Sequence, residues 1–469
     1  MKILKYKITT LLAGSVFLLA SCEDMDFLDV KPTNNVITDD AIKTPEDLQK
    51  LMGSAYTQVR GAGFMGGTAL VAGDVIADDA TTTNSTFDWS QIANHSMDLF
   101  NPPGRTIWGG TYSAINRANI AASSALADAI LGGATTPLAN TLKGDAAYIR
   151  GLGHFHLVRY FGLPYADNTK GTANMGVPIR TRGTTTIAES YLALPRATVD
   201  EVYNSVIADL KIAAANLPAT RTYNGGFATP DAAKALLAKV YFYKGDMANA
   251  AAEAKPLMES GKYELDADMT AKYSRAQLKG TTKEVIFMIP SSATSDDSWG
   301  SIRGNYRSNN TTNPIPQWTP SPSLVAAHPA GDARRTRYYV TKSNIVYSTK
   351  FDYTHMDGII AGFDELILIY AEALATSGTP ADLTNAVLWL NKIESRAYGS
   401  PKTTVALGKD AIIAAVRSER RLELGLRGER LHELKRLKLP VRGDAWDSRK
   451  LLFQIPDEEQ SGNPTIGLN

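Results

Sequence analysis

Thr229-Pro230-Asp231-Ala232-Ala233-Lys234-Ala235-Leu236-Leu237-Ala238-Lys239-Val240-Tyr241-Phe242-Tyr243-Lys244-Gly245-Asp246 is the stretch that decides the fold. Pro230 falls at the first helical position, where its missing N–H leaves no bond unmade. Ala233, Leu236, Leu237, Val240 and Tyr241 recur at i, i+3, i+4, i+7 and i+8, which draws one apolar face along an α-helix. Gly245 is placed to end that helix, and Asp246 to cap a second one carrying Ala250, Ala251, Ala254 and Leu257. The reading is a helix, a tight turn and an antiparallel alanine-rich helix.

Working outward, this pair (about 229–260) resembles a tetratricopeptide (TPR) hairpin, whose small residues let neighbouring helices approach closely. A second pair is expected over 364–396, with Tyr370-Ala371-Glu372-Ala373 before a Ser377-Gly378 turn, and a third helix over about Asp410 to Leu426. Thr198-Val199-Asp200-Glu201 reads as a capping box ahead of Val202, Val206, Leu210 and Leu217. The repeats are scattered rather than tandem, which argues against a pure solenoid. Between them run polar stretches, Gly61 to Pro103, Asn168 to Pro195 and Ser291 to Tyr353, that carry aromatics and read as ordered binding loops. Glu284 to Ile289 reads as a strand. The fold class is therefore mostly α: TPR-like hairpins as scaffold, with long irregular loops and a few short β-strands forming the ligand face.

The N-terminus gives an address. Lys2, Lys5 and Lys7 precede the apolar run Leu11 to Ala20, which is far short of the roughly 20 residues that span a bilayer. Leu19-Ala20-Ser21-Cys22 resembles a bacterial lipoprotein signal, with Cys22, the single cysteine, as the lipidated first mature residue. The expected layout is a signal peptide over 1–21, a lipidated tether over 22–45, an N-terminal region over 46–220 and a C-terminal region over 221–469. Lipid would be the only membrane anchor, and lipoprotein processing supplies the several chains that stable anchoring needs. With Cys22 acylated no disulfide or thiolate metal site remains, and the core alone must hold the chain together.

Hydrophobic content of 44% and charged content of 21% are ordinary for a globular protein. Removing the leader with its three lysines takes the formal charge from +1 to about −2. A near-neutral chain without a basic block argues against nucleic acid and suits a neutral polymer such as a glycan. Motifs for hydrolase, zinc-protease and P-loop chemistry are absent, and the six histidines show no metal-ligand grouping. Asp78-Asp79 and Asp296-Asp297 are adjacent carboxylates, whereas glycoside hydrolysis needs two facing each other about 5–9.5 Å apart. Either pair offers oxygen ligands to a structural calcium ion, though without EF-hand spacing; no cofactor is otherwise expected. Arg417, Glu419, Arg420, Arg421 and Glu423 read as ion pairs along one helix.

A set of motifs then falls in a recognisable order. Trp108-Gly-Gly-Thr-Tyr112 through Asn119 is followed by Ala146-Ala147-Tyr148-Ile149-Arg150-Gly151-Leu152 and by His156-Leu157-Val158-Arg159-Tyr160-Phe161-Gly162. The hairpin Tyr241-x-x-x-Gly245-Asp246, Gly331-Asp332-Ala333-Arg334, Ser418-Glu419-Arg420-Arg421-Leu422-Glu423-Leu424 and Phe453-Gln454-Ile455-Pro456 come after. In this order, behind a lipobox, they resemble the RagB/SusD family of starch-utilisation-type outer-membrane lipoproteins over nearly all of the mature chain. The resemblance implies a Gram-negative cell-surface protein, lipid-anchored in the outer membrane. It would cap a SusC-like TonB-dependent β-barrel transporter, capture oligosaccharides or polysaccharides, and deliver them without cleaving them. Some relatives take peptides. Gly162-Leu163-Pro164, Leu426-Arg427-Gly428 and the Leu468-Asn469 end depart from the family pattern at scaffold or tail positions.

Glycan binding needs flat aromatic faces with amides and carboxylates at the rim. Trp89, Trp299 and Tyr306 lie in polar loops, and the resemblance implies that loops at these two regions supply the aromatic arc. Asn84, Asp88, Asp297 and Arg303 are rim candidates by proximity, and Trp318 either joins them or pins the Thr319-Pro320-Ser321-Pro322 turn. Trp108 and Trp389 read as core. Two rival functions remain at this stage: a lipid-anchored TPR-type scaffold binding only proteins, and a glycan hydrolase.

Overall fold

The computed structural model describes residues 42–82, 86–133, 135–166, 175–221, 226–274, 282–291, 300–308, 316–353 and 355–467. Cys22 and the expected leader lie outside them. Contacts divide the chain into residues 1–47 and 48–469. In the first, the described part is the approach to a helix: the Thr44 hydroxyl donates to Asp47 Oδ2 at 2.8 Å, and the Asp47 amide donates back at 3.2 Å.

The chain is mostly helical. Helix α1 spans Pro45–Arg60, α2 Thr68–Ile76, α3 Phe87–Ala93, α4 Pro102–Ala122 and α5 Pro137–Phe161, with the short strand β1 (Ala80–Thr82) between α2 and α3. Helix α5 is buried on every side from Gly144 onward except at half-buried Arg159, as a helix at the centre of a large core is. Glycine lets its neighbours close in. A Cβ at Gly151 would meet the Leu210 side chain at 2.9 Å, and one at Gly153 would meet Ile115 at 2.8 Å. His154 and His156 are buried here, both held neutral by desolvation, which drops each to about 3.

Helix α6 (Val199–Asn216) opens with the expected capping box, Thr198 accepting from the Glu201 amide and Glu201 reaching back. Helices α7 (Pro230–Lys244) and α8 (Met247–Met258) are the hairpin. Gly245 closes α7 with φ 83°, a left-handed turn that glycine adopts without a Cβ clash, and Asp246 caps α8 by accepting from the Asn249 amide. The second hairpin, α10 (Phe363–Ser377) and α11 (Pro380–Tyr398), repeats the device with Gly378 at φ 76° and Thr379 as N-cap; α12 (Lys409–Leu424) and α13 (Arg430–Arg436) follow. The hairpins are separated in sequence but not in space. Helices α4, α5, α6, α7, α8 and α10 each pack on the next, and α10 then packs on both α11 and α12.

Among the described residues the strands form two-stranded antiparallel ribbons. β2 (Val285–Ile289) pairs with β6 (Gly358–Gly362), and β4 (Tyr339–Lys342) with β5 (Ile345–Ser348). β3 (Trp318–Pro320) pairs with β1. The expected loop over Gly61 to Pro103 in fact holds α2 and α3. Helix α2 is buried at eight of its nine residues, so it has no polar face and leaves no periodic signal.

Candidate functional site

The ribbon β1–β3 sets the site. Ala80 faces Pro320, Thr81 faces Thr319 and Thr82 faces Trp318, and the Thr82 hydroxyl donates to the Gln317 carbonyl at 3.0 Å. Ser321 ties the other end, its hydroxyl donating to the Asp78 carbonyl at 2.5 Å. Beyond β1 the chain re-enters as α3, which is pinned from behind. Asn101 donates to the Asp88 carbonyl at 3.0 Å and to Gln91 Oε1 at 2.8 Å, and Gln91 donates to Asp98 at 2.7 Å. Helix α3 packs on α2 and α4.

This anchored helix presents aromatic rings. Trp89 is half-buried and meets the buried Trp318 edge-on, with ring centroids 5.8 Å apart at 61°. Such contacts hold a ring in one orientation. Phe87, at the start of α3, is 76% exposed, and Phe100, beside the Asn101 that holds α3, is 59% exposed. Exposed Phe100 is the functional candidate that sequence reasoning passed over, and exposed Phe87 counts among the loop aromatics without being singled out as a contact. Their signal was a phenylalanine on each side of Trp89 in a polar stretch.

The other sequence candidates divide. Asp88 is half-buried on α3. Trp318 is 1% exposed in β3, so its ring backs Trp89 instead of facing solvent. Tyr306 ends α9 (Gly300–Tyr306) and is fully buried; it donates to Asp74 Oδ2 at 3.2 Å and stacks on Phe351 at 5.6 Å. Burial and the Asp74 charge both push its hydroxyl well above the usual tyrosine range. The expectation that Tyr306 and Trp318 offer faces to a ligand is corrected: long-range packing buries both. Arg303, 5% exposed, likewise stands inside the packing and not at a rim. Asn84, Asp297 and Trp299 lie outside the described residues.

Beneath the ribbon, the Asp78 and Asp79 carboxylates are taken by guanidiniums. Arg430 Nε reaches Asp78 at 2.6 Å, and Arg421 Nη2 reaches Asp79 at 3.0 Å. Burial raises the Asp78 carboxyl, but Arg430 and Arg421 outweigh it and hold it below its ordinary range; at Asp79 burial prevails and the carboxyl is raised. Two arginines thus stand where a calcium ion at this pair would have to be, which removes that expectation for Asp78-Asp79.

The charged residues of α12 are not pairs along one helix. Arg420 meets Glu365 on α10 at 2.9 Å, Glu419 meets Arg334 at 2.7 Å, and Glu423 meets Arg396 at 2.8 Å and Lys272 at 3.1 Å. Lys272 also binds Glu284 at 2.7 Å and Asp364 at 2.6 Å, with every partner at most 1% exposed. Burial alone would lower the Lys272 ammonium, but Asp364, Glu284 and Glu423 raise it well above the ordinary lysine value. The three carboxylate oxygens lie within 4.8 Å of one another, a metal-like cluster already filled by an ammonium. This network joins Glu284, the residue ahead of β2, to α10, α11 and α12.

Comparison with known proteins agrees with this architecture. The profile of a family described as "SusD-like_3: Starch-binding associating with outer membrane" matches residues 26–242, and that of the SusD family (SusD_RagB) matches residues 238–466. A SusD-like protein P2 from Formosa agariphila is 26% identical, the alignment covering 93% of this chain and 91% of that one. A SusD superfamily crystal structure from Bacteroides thetaiotaomicron superposes with a TM-score of 0.76 at 23% identity, covering 91% of this chain and 99% of the other. A SusD-like carbohydrate binding protein from Bacteroides vulgatus gives 0.73 at 18% identity, covering 91% and 98%.

Proposed function

This chain belongs to the SusD family, and from that premise we propose that it is a cell-surface lipoprotein that binds glycan on the α3 face and hands it to a SusC-like TonB-dependent transporter without cleaving it. The observation that carries the binding reading is the solvent-facing aromatic group of Phe87 and Trp89 on a helix locked from behind by Asn101, Gln91 and Trp318. A sugar ring has an apolar face that stacks on such a surface and hydroxyls that reach a rim group such as Asp88. Pre-organised rings also spare the loss of side-chain freedom on binding.

The family description, starch-binding and associating with the outer membrane, supports the same role. No helix among the described residues is long and apolar enough to cross a membrane, which accords with an anchor at Cys22. In this reading the helical hairpins serve as the rigid scaffold on which the aromatic face and the transporter-facing surface are mounted. Trp299, as a further ring, and Asn84 and Asp297, as hydroxyl partners, are assigned to the glycan in this reading from their sequence alone.

Native gels containing plant, host and microbial polysaccharides test the proposal. The mature chain is expected to be retarded by one glycan class, and Trp89→Ala to migrate freely in the same gel with unchanged circular dichroism. Migration unaffected by every polysaccharide would overturn the glycan reading and turn attention to peptide cargo.

A further inference from the structure

A concave site lies on elements other than α3. A cavity of about 330 Å³ opens between residues 49–52 of α1, the start of α5, and the side chains of Arg221 and Phe227. The packing voids beside Lys239 and beside Lys435 measure only 10–20 Å³. A volume above 300 Å³ is in the range of small-ligand sites. The floor is Met52, Leu142 and Asp145, each at most 2% exposed, and the ring of Phe227 and the side chain of Leu138 form the walls.

The floor carries one ion pair, between buried Asp145 and half-buried Arg221, and it is only partly used. Asp145 Oδ1 accepts from Arg221 Nη2 at 2.5 Å and from the Tyr56 hydroxyl at 2.7 Å, while Arg221 Nε donates to the Ala228 carbonyl at 3.1 Å. Asp145 Oδ2 and Arg221 Nη1 take part in no hydrogen bond among the described residues. One acceptor and one donor are therefore left over at a cavity that both residues line. Tyr56 fixes the wall as well, its ring meeting Phe227 edge-on at 4.7 Å.

This chemistry selects among ligands. A purely apolar guest would take Asp145 Oδ2 and Arg221 Nη1 out of water and offer neither a partner, at a desolvation cost that apolar contact does not recover. A small anion finds the Arg221 charge already neutralised by Asp145 and, besides it, only the solvent-exposed Lys50, and a cation meets Arg221 beside the only carboxylate on the floor. A neutral ring bearing neighbouring hydroxyls satisfies both groups at once and lays its apolar face on Phe227. We infer that this pocket is a second binding site that takes a single neutral sugar ring. It shares no residue with the α3 face and does not rest on the glycan reading of that face.

The test is calorimetric titration of the mature chain with D-glucose, D-galactose, D-mannose, D-xylose and L-fucose, each to millimolar concentration. Saturable binding of at least one sugar is expected. Leu138→Trp, which fills the mouth from a half-buried position, is expected to weaken it by at least about tenfold while the melting curve stays at the wild-type position. Phe227→Ala, which removes the stacking wall without crowding the pocket, is expected to weaken it as well. No saturable heat from any of the five, or equal binding by wild type and Leu138→Trp, would overturn the inference. The polysaccharide gels, run on the same preparation, separate the two claims: retardation without monosaccharide binding sinks the pocket alone, and monosaccharide binding without retardation sinks the α3 reading alone.

Discussion

Replacing Lys272 with methionine removes the one ammonium shared by Glu284, Asp364 and Glu423, at 2.7, 2.6 and 3.1 Å. Breaking a buried ion pair from one side costs about 3–5 kcal/mol, because the partner is left charged and unpaired. The lower end applies here, since each carboxylate keeps a second partner. Glu284 retains Arg396 at 2.6 Å, Asp364 retains Arg427 at 2.9 Å, and Glu423 retains Arg396 at 2.8 Å. We therefore expect a loss of about 3 kcal/mol in urea unfolding at neutral pH, followed by circular dichroism. Lys272→Ala goes further, because it opens a space bounded by three carboxylate oxygens within 4.8 Å of one another. Such a set suits calcium, and the variant should regain stability in millimolar calcium by about 2–3 kcal/mol if the ion is near a hundredfold above its dissociation constant. Wild type should not respond to calcium at this site. A loss below about 1 kcal/mol for Lys272→Met would refute the idea that this ammonium organises the network.

Three further outcomes follow from the packing. Tyr306→Ala should cost about 3–4 kcal/mol in chemical unfolding through the cavity beside Phe351, and Tyr306→Phe only about 1 kcal/mol through the lost bond to Asp74; equal, negligible effects would contradict its burial. Gly151→Val forces a side chain into Leu210 and should lower stability by about 1–3 kcal/mol, read as an earlier melting transition; an unchanged melt would mean that α5 and α6 are not in close contact. Lys435 is buried with one hydrogen bond among the described residues, to the Leu451 carbonyl at 3.1 Å, and desolvation lowers it from 10.5 to about 7. Between those values the unfolded chain binds more protons, so this residue makes stability rise with pH from about 7 to 10.5. Lys435→Met should thus gain on wild type most at and below pH 7, by up to about 5 kcal/mol, with the gain fading toward pH 10.5; a pH-independent difference would contradict the assignment.

The sequence spoke most clearly where local chemistry sets the backbone. Pro230, Gly245, Asp246 and Gly378 punctuate the hairpins through caps and left-handed turns that involve only near neighbours, so their helices fall where the pattern placed them. The stacking of α8 on α10 was not legible, because about a hundred residues of loops and ribbons separate the two helices in the chain. Helix α2 escaped notice for the opposite reason: a helix buried all round has no polar face and so no period to detect. The site was half legible. Trp89 and Asp88 stand on a surface helix, but Tyr306 and Trp318 looked exposed because their neighbours in sequence are polar. Their partners are 232 residues away at Asp74 for Tyr306 and across the β1–β3 ribbon for Trp318. The ion pairs of α12 misled in the same way. Helical spacing suggested neighbours on one surface, while the true partners, Glu365, Arg334 and Arg396, come from elsewhere in the fold.

The central claim is that the ring surface of α3 binds glycan, and direct titration tests it most closely. Oligosaccharides cut from a polysaccharide that retards the mature chain would be titrated calorimetrically into wild type, Trp89→Ala and Phe87→Ala. Loss of one stacking ring should weaken affinity by about tenfold or more, near 1–2 kcal/mol, with unfolding curves unchanged for Phe87→Ala because that ring is solvent-facing. Affinity equal to wild type in both variants would contradict the account.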